Sequence, residues 1–277
     1  MIKVAVCGAC GRMGKEIVRA VSNQEDMKVV AAIDAPGTTL EGQDIGEVAG
    51  IGKLGVKVVG ADKIAEVLNE ARPDVLVDFT VAEAAVQNVK AAAKAKVGVV
   101  VGTTGLSKDQ MEELKEAVRR ENISAVVSSN MSVGVNVFFK LAEEAGRLLK
   151  DYDIEIIEAH HRKKIDAPSG TALKVAQIIA ESSGRDFEDV ARFGRPRGKL
   201  GERPTGEIGI HSIRGGGIVG EHTVIFAGPE ERLELVHRAQ SRRVFASGTV
   251  RAIRHVAKGS KPGTVQSMQD VIFGETA

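Results

Sequence analysis

The chain has 277 residues, enough for one large domain or two modest ones around a substantial apolar core. An apolar share of 43% and a charged share of 27% suit a globular protein, and a net charge of +1 provides no overall field to draw it to nucleic acid or an anionic membrane. No apolar run is long enough to span a bilayer, the opening Ile2-Lys3-Val4-Ala5-Val6 has no signal-peptide layout, and two cysteines make no disulfide framework; neither nucleic acid nor membrane is an expected partner, and a reducing cytoplasm is the expected location.

Along the first half, short apolar runs alternate with segments of helical spacing. Lys3–Cys7 reads as a strand and Met13–Ser22 as a helix. Lys28–Ile33, Val75–Phe79, Val97–Val101 and Ile123–Val127 read as further strands, with an Ala-rich helix at Ala82–Lys94 and a charged one at Lys108–Arg120. Strands carrying valine at successive positions are buried on both faces, as in a parallel sheet, and right-handed crossovers then give a Rossmann-like, doubly wound α/β layer. After about Asn130 the pattern changes. Asp153–Glu158 reads as a strand, Thr171–Glu181 as a helix, and His222–Ala227 with Arg232–Arg238 as an antiparallel hairpin around Gly228-Pro229; Phe245–Ala257 returns to helical spacing. Gly184–Gly209, rich in Gly, Arg and Pro, reads as a long mobile loop. The expected layout is a dinucleotide-binding domain over residues 1–129, an α+β domain with a mixed or antiparallel sheet for substrate binding and oligomerisation over 130–241, and a segment over 242–277 that returns to the first domain.

The first strand runs into Gly8-Ala9-Cys10-Gly11-Arg12-Met13-Gly14 and then a helix. A helix N-terminus presents free N–H groups and the positive end of a dipole, and glycines let the backbone come close to a pyrophosphate. The spacing G-x-x-G-x-x-G is weak by itself, since a plain tight turn has the same composition; its place between a first strand and a helix favours the phosphate cradle. Asp34, closing the second strand, stands where an acid accepts hydrogen bonds from an adenosine ribose, or is an ordinary turn residue in Asp34-Ala35-Pro36-Gly37. Asp78-Phe79-Thr80 and Gly102-Thr103-Thr104-Gly105 follow two more strands and are expected to face the same crevice, plain loops being the competing reading. Cys7 and Cys10 have the spacing of a redox pair but straddle a strand end and a glycine turn, which suits two small packed residues better.

The stretch Glu158–Leu173 gathers two histidines, three consecutive cations (Arg162-Lys163-Lys164) and a Ser169-Gly170-Thr171 helix start. Such a set can hold a small dianion, with cations for charge, N–H donors at the helix start and an imidazole for proton transfer. A solvated surface turn and a plain Ser169 helix cap are the competing readings; a metal held by both histidines is disfavoured because adjacent strand residues point to opposite faces.

Several strings here resemble the dihydrodipicolinate reductase family: EAHHRKKIDAPSGTAL over 158–173, VAVCGACGRMG over 4–14, DFT over 78–80, VGTTGL over 101–106, SSNMSVGVN over 128–136 and VGEHTVIFAGPEERLELVHRAQSR over 219–242. The resemblance covers nearly the whole chain. It implies reduction of a cyclic imine dicarboxylate, 4-hydroxy-tetrahydrodipicolinate, by NADH or NADPH in lysine biosynthesis. It gives His160 a proton-transfer role, Lys164 the role of catalytic proton donor, and His161, Gly170 and Thr171 the substrate and its carboxylates. The cofactor then lies on Gly8, Ala9, Cys10, Gly11, Arg12, Met13, Asp34, Gly102, Thr103, Thr104, Ser128, Ser129, Asn130 and Met131; no metal is implied, and the family's usual assembly is a homotetramer built through the second domain's sheet. One position departs from the pattern: where some members carry an arginine able to meet the 2′-phosphate of NADPH, this chain has Ala35, with Arg12 and Lys15 as the nearby cations. NADH is therefore expected to serve at least as well as NADPH. Another imine reductase of similar build and a dinucleotide-binding sensor without catalysis are the competing functions, and the sensor is disfavoured by the presence of both His160 and Lys164.

Overall fold

The computed structural model describes residues 1–274 as two compact units, residues 1–133 with 242–274 forming one and residues 134–241 the other. The first unit begins with β1 (Ile2–Cys7), α1 (Arg12–Ser22), β2 (Met27–Asp34), α2 (Ile45–Ala49), β3 (Val58–Gly60), α3 (Ile64–Ala71), β4 (Val75–Asp78), α4 (Ala82–Lys94), β5 (Gly98–Val101), α5 (Lys108–Glu121) and β6 (Ala125–Val127). The second holds α6 (Val133–Leu148), β7 (Asp153–His160), α7 (Gly170–Ser182), α8 (Phe187–Val190), β8 (Ala191–Phe193), β9 (Ile208–Arg214), β10 (Glu221–Ala227) and β11 (Arg232–Arg238). The chain then returns to the first with α9 (Arg243–Ala257), β12 (Val265–Gln266) and α10 (Met268–Phe273).

The first unit is a parallel seven-stranded sheet in the order β12-β6-β5-β4-β1-β2-β3. Alternate residues of β1 go to opposite layers. Val4 and Val6 pack with α1 and with Ala246, Val250, Ile253 and Val256 of α9; Ala5 and Cys7 pack with Leu68 of α3, Val89 of α4 and Leu114 of α5. Burial on both faces is what the valine-rich runs require. The strand order reverses between β1 and β4, so the crevice for a ligand opens at the carboxyl ends of these strands. Helix boundaries follow local chemistry: Ser107 and Gln110 form a reciprocal capping box at the start of α5, and Asn122 in the left-handed region ends it.

The second unit is a mixed sheet in the order β11-β10-β7-β9-β8, antiparallel at β11/β10 and β10/β7 and parallel at β7/β9 and β9/β8. One face presents Ile154, Ile156, Ile208, Ile210, Val224 and Phe226 to Phe138 and Phe139 of α6 and Val175, Ala176 and Ile179 of α7. Here the sequence reading needs correcting. Gly184–Gly209 is not one irregular loop, because it contains α8, β8 and the start of β9. Three-residue β8 is an edge strand, too short to show a period, and β9 (IGIHSIR) hides its alternation behind Gly209, His211 and Ser212. Helix α6 and the short elements α2, α3, β3, β12 and α10 also went unread.

Candidate functional site

In the first unit the glycine turn is held by close backbone approach. Gly8 sits at φ 73°, the left-handed region, and a side chain on it would strike the Phe79 carbonyl. A Cβ on Gly14 would collide with the Gly8 carbonyl oxygen and lie 2.7 Å from Ala9 Cα. The Gly11 N–H closes the turn on the Gly8 carbonyl at 3.0 Å, and Gly11 begins α1 with no side chain capping it. That uncapped helix start is the requirement for an anion site. Asp34 ties the second strand to the turn: its Oδ2 accepts from the Cys10 N–H at 2.7 Å, and its Oδ1 from the Ala35 N–H at 2.8 Å.

Asp78, fully buried at the end of β4, is the knot of the neighbouring loops. Its carboxylate accepts from Thr103 Oγ1 at 2.6 Å, Thr80 Oγ1 at 2.8 Å and Asn88 Nδ2 of α4 at 2.7 Å. Around these loops lie two cavities. One, of about 480 Å³, is lined by Gly11, Arg12, Met13, Gly102, Thr103, Thr104, Ser129, Asn130 and Met131, with Phe79, Thr80, Arg242 and Phe245. The other, of about 410 Å³, contains Gly8, Gly11, Asp34, Ala35, Pro36, Phe79, Thr80 and Asn88. Ala9 is buried, Cys10 half-buried, and Ser128 shapes the turn by donating from Oγ to the Asn130 carbonyl at 2.9 Å; none of these three lines either of the two cavities. Burial, reinforced for both by nearby Asp34, raises both thiols, Cys10 to about 11, so neither has the thiolate character of a redox pair.

In the second unit β7 delivers His160 at its carboxyl end, His161 just beyond it and Lys164 on the next turn, where the Lys164 N–H bonds the His161 carbonyl at 3.0 Å. Lys164 Nζ pairs with Asp166 Oδ1 at 2.8 Å, and that hydrogen bond holds the Asp166 carboxyl below its usual range. Ser169 caps α7 by accepting from the Ala172 N–H, so the cap reading of Ser169 holds. Gly170 and Thr171 open the helix, and a side chain on Gly170 would project into empty space. His161 Nδ1 is buried with no hydrogen-bond partner among the described residues. A helix start with space over its first residue, next to an ammonium group and two imidazoles, has the chemistry to take a small anion and a proton.

Three residues here were missed from the sequence. Glu158, fully buried, accepts a bidentate pair from Arg214 at 2.7 and 2.8 Å, the His160 Nδ1 at 2.6 Å and the Ser169 N–H at 3.0 Å. Burial alone pushes its carboxyl up, but Arg214, His160, the Ser212 hydroxyl and the Ser169 amide together bring it down to about 2. Burial holds His160 below the ordinary imidazole value, against the pull of Glu158 and with the help of Lys164 and Arg214. His222, on β10, bonds Ser169 Oγ through Nε2 at 3.0 Å, and burial lowers it to about 3. One signal was available: Glu158 continues the inward series Ile154, Ile156, a carboxylate where an apolar residue is due.

Both halves match family models: residues 2–131 match "Dihydrodipicolinate reductase, N-terminus" and residues 134–272 "Dihydrodipicolinate reductase, C-terminus". The chain is 54% identical over 272 residues to the 4-hydroxy-tetrahydrodipicolinate reductase of Methanothermobacter thermautotrophicus, covering 98% of this chain and 99% of that one. It is 54% identical over 257 residues to the enzyme of the same name from Methanocaldococcus jannaschii, 93% of each chain being covered. Among solved structures it is similar to a dipicolinate-bound dihydrodipicolinate reductase from Paenisporosarcina sp. TG-14, with a TM-score of 0.74 at 26% identity over 96% of this chain and 97% of that one. The chain belongs to the dihydrodipicolinate reductase family.

Proposed function

We propose that this chain reduces 4-hydroxy-tetrahydrodipicolinate to tetrahydrodipicolinate with NADH or NADPH, in lysine biosynthesis through diaminopimelate. The observation that carries this reading is the cluster at the α7 helix start, with Gly170 open to space, His160 and His161 beside it, and Lys164 on the adjoining turn. The uncapped glycine turn and the two cavities of the first unit suit a dinucleotide. When bound, the reduced nicotinamide supplies the hydride. The chain supplies everything else. The Gly170 and Thr171 N–H groups and the Thr171 hydroxyl hold a carboxylate, His161 helps to anchor the substrate, and Lys164 gives a proton to the reacting nitrogen, with His160 as its partner in proton transfer. Oxidation of NADH or NADPH in the presence of freshly made substrate is the direct test, and absence of turnover with either cofactor refutes the assignment.

The same reading includes cofactor preference. Asp34 lines its cavity with Ala35 and Pro36, and among the described residues no lysine or arginine lines it; Arg12 lines the other cavity. Asp34 accepts two backbone N–H groups and the Cys10 thiol and still has lone-pair capacity for a ribose hydroxyl, while its charge repels a 2′-phosphate. NADH is expected to match or exceed NADPH in kcat/KM at one fixed salt concentration. An NADPH preference above about tenfold, some 1.4 kcal/mol, contradicts this. Ala35→Arg is expected to move the ratio toward NADPH.

We assign a homotetramer to the chain. The sheet of the second unit has one face against α6 and α7, and Ile157, Ile213, Ile225 and Val236 fall on the other face by strand alternation. Ile213 and Val236 are exposed in the single chain. These apolar side chains lie among charged ones such as Glu155, Glu234 and Arg238, and a second layer would take the apolar ones out of water. Sedimentation of a monomer at micromolar concentration overturns this assignment. A cytoplasmic location accords with two free thiols.

A further inference from the structure

We infer that Glu158, gripped by Arg214, is a positioning residue that fixes the His160 imidazole with a proton on Nδ1 and leaves Nε2 as its one exchangeable proton site. This deepens the functional reading above and rests on His160 taking part in proton transfer.

Glu158 lies on the inward face of β7, fully buried, at the end of the isoleucine series. Its Oε1 accepts from Arg214 Nη2 and the Ser169 N–H; its Oε2 accepts from Arg214 Nη1 and meets His160 Nδ1. Each oxygen thus has at least two partners, and the Ser212 hydroxyl also bonds the carboxylate, so the lone-pair sites of an ionised carboxylate are filled. A carboxylate forked to a guanidinium can only accept, so the ring nitrogen facing it must be N–H. The neutral ring therefore carries its proton on Nδ1, and Nε2 is bare; on protonation the new proton goes to Nε2. Arg214 keeps Glu158 ionised, so the carboxylate orients the ring without taking its proton.

The surroundings of Nε2 agree. A Cβ on Gly220 would lie 3.1 Å from it, so the absence of a side chain there keeps that ring edge clear. The charged and titratable groups facing His160 are Glu158 on its own strand, Arg214 on β9, Lys164 on the following turn and His222 on β10. His222 does not compete for the carboxylate. Ser169 Oγ accepts the Ala172 N–H and is hydrogen-bonded to His222 Nε2 at 3.0 Å, and the His222 ring sits edge-on to His160 at 5.3 Å.

The test uses the full chain labelled with nitrogen-15 histidine. Long-range proton–nitrogen spectra on the alkaline side of the His160 titration are expected to show the Nδ1–H tautomer; an Nε2–H tautomer or an even mixture overturns the inference, whatever the activity. Glu158→Gln removes the acceptor-only group. It is expected to lower kcat about 100-fold with substrate KM within about threefold, in line with the worth of one proton-transfer group. The His160 titration midpoint is expected to move to lower pH, since a carboxylate that favours the imidazolium has gone. An unchanged kcat with an unmoved midpoint refutes the positioning role. Glu158→Gln with Arg214→Gln also removes the partly buried guanidinium that the single change deprives of its carboxylate, and is expected to give the same kinetic loss in a folded protein. His160→Ala separates the two layers of the argument: a wild-type rate there removes the proton-transfer reading, whereas a slow His160→Ala beside a wild-type Glu158→Gln removes only the positioning role.

Discussion

Lys164→Ala is expected to lower kcat by about two to four orders of magnitude, the usual contribution of a positioned proton donor. The side chain is one-fifth exposed, lies on a turn outside any helix or strand, and pairs with Asp166. Its removal therefore leaves the core alone, and the unfolding midpoint is expected to stay within a few degrees of wild type. The loss belongs to chemistry: reduction at carbon leaves charge on nitrogen, and without the ammonium that charge waits for a proton from water. A rate limited by the missing proton shows as a fall in kcat and in kcat/KM together, with less change in KM. Lys164→Arg keeps the charge but not the readiness to give up a proton, and is expected to restore substrate binding better than turnover. Steady-state kinetics at saturating cofactor decide the matter, and a Lys164→Ala enzyme at wild-type kcat rules out the donor role.

Gly14→Ala is expected to abolish cofactor binding at accessible concentrations and to lower thermal stability. The added methyl collides with the Gly8 carbonyl and sits 2.7 Å from Ala9 Cα, and both obstacles are backbone with no flexible end to yield. Overpacking of this kind costs about 3 kcal/mol. For a chain of this size that corresponds to a midpoint lower by roughly 5–10 °C. The helix start must withdraw from the turn, so its N–H groups no longer converge, and a rise in Kd for NADH of at least about 100-fold, near 2.8 kcal/mol, is expected. Gly11→Ala is the informative neighbour. Its Cβ meets one atom, the Gly8 carbonyl oxygen at 3.1 Å, and a shift of a few tenths of an ångström relieves it. Calorimetric titration of the two variants with NADH is expected to show a far larger loss for Gly14 than for Gly11; equal losses contradict the steric account.

Much of the first unit was legible because its strands are buried on both sides. Val75–Asp78 and Gly98–Val101 are unbroken apolar runs between helical segments, and each ends in a loop containing Thr80 or Thr103. Glu158–Leu173 stood out as a candidate site because cations, imidazoles and a helix start crowd into one short stretch. What escaped was the support from distant strands. Arg214 meets Glu158 only because β9 pairs in parallel with β7, with His160 opposite Arg214, and no local pattern announces a strand in IGIHSIR. His222 was read as an ordinary strand residue, since its bond to Ser169 depends on β10 lying antiparallel beside β7. Asn88 was one polar residue in an alanine-rich helix; its purpose is clear only with Asp78 buried beneath it. Sequence periodicity marks the faces of elements, whereas these contacts depend on register between elements remote in the chain.

The return of the chain to its first unit also sets the order in which the protein can be made. The layer over Val4, Val6, Val77 and Val100 is completed by Ala246, Val250, Ile253 and Val256 of α9, with Met268 and Val271 of α10. During translation these residues emerge only after the whole of residues 134–241 has been synthesised. The nascent sheet therefore carries one incomplete apolar face while the second unit, whose own core is continuous in sequence, is already able to fold. Chains truncated after Ser241 and freed from the ribosome should display a protease-resistant second unit beside a protease-sensitive first one, and extending them through residues 242–274 should convert the first to resistance.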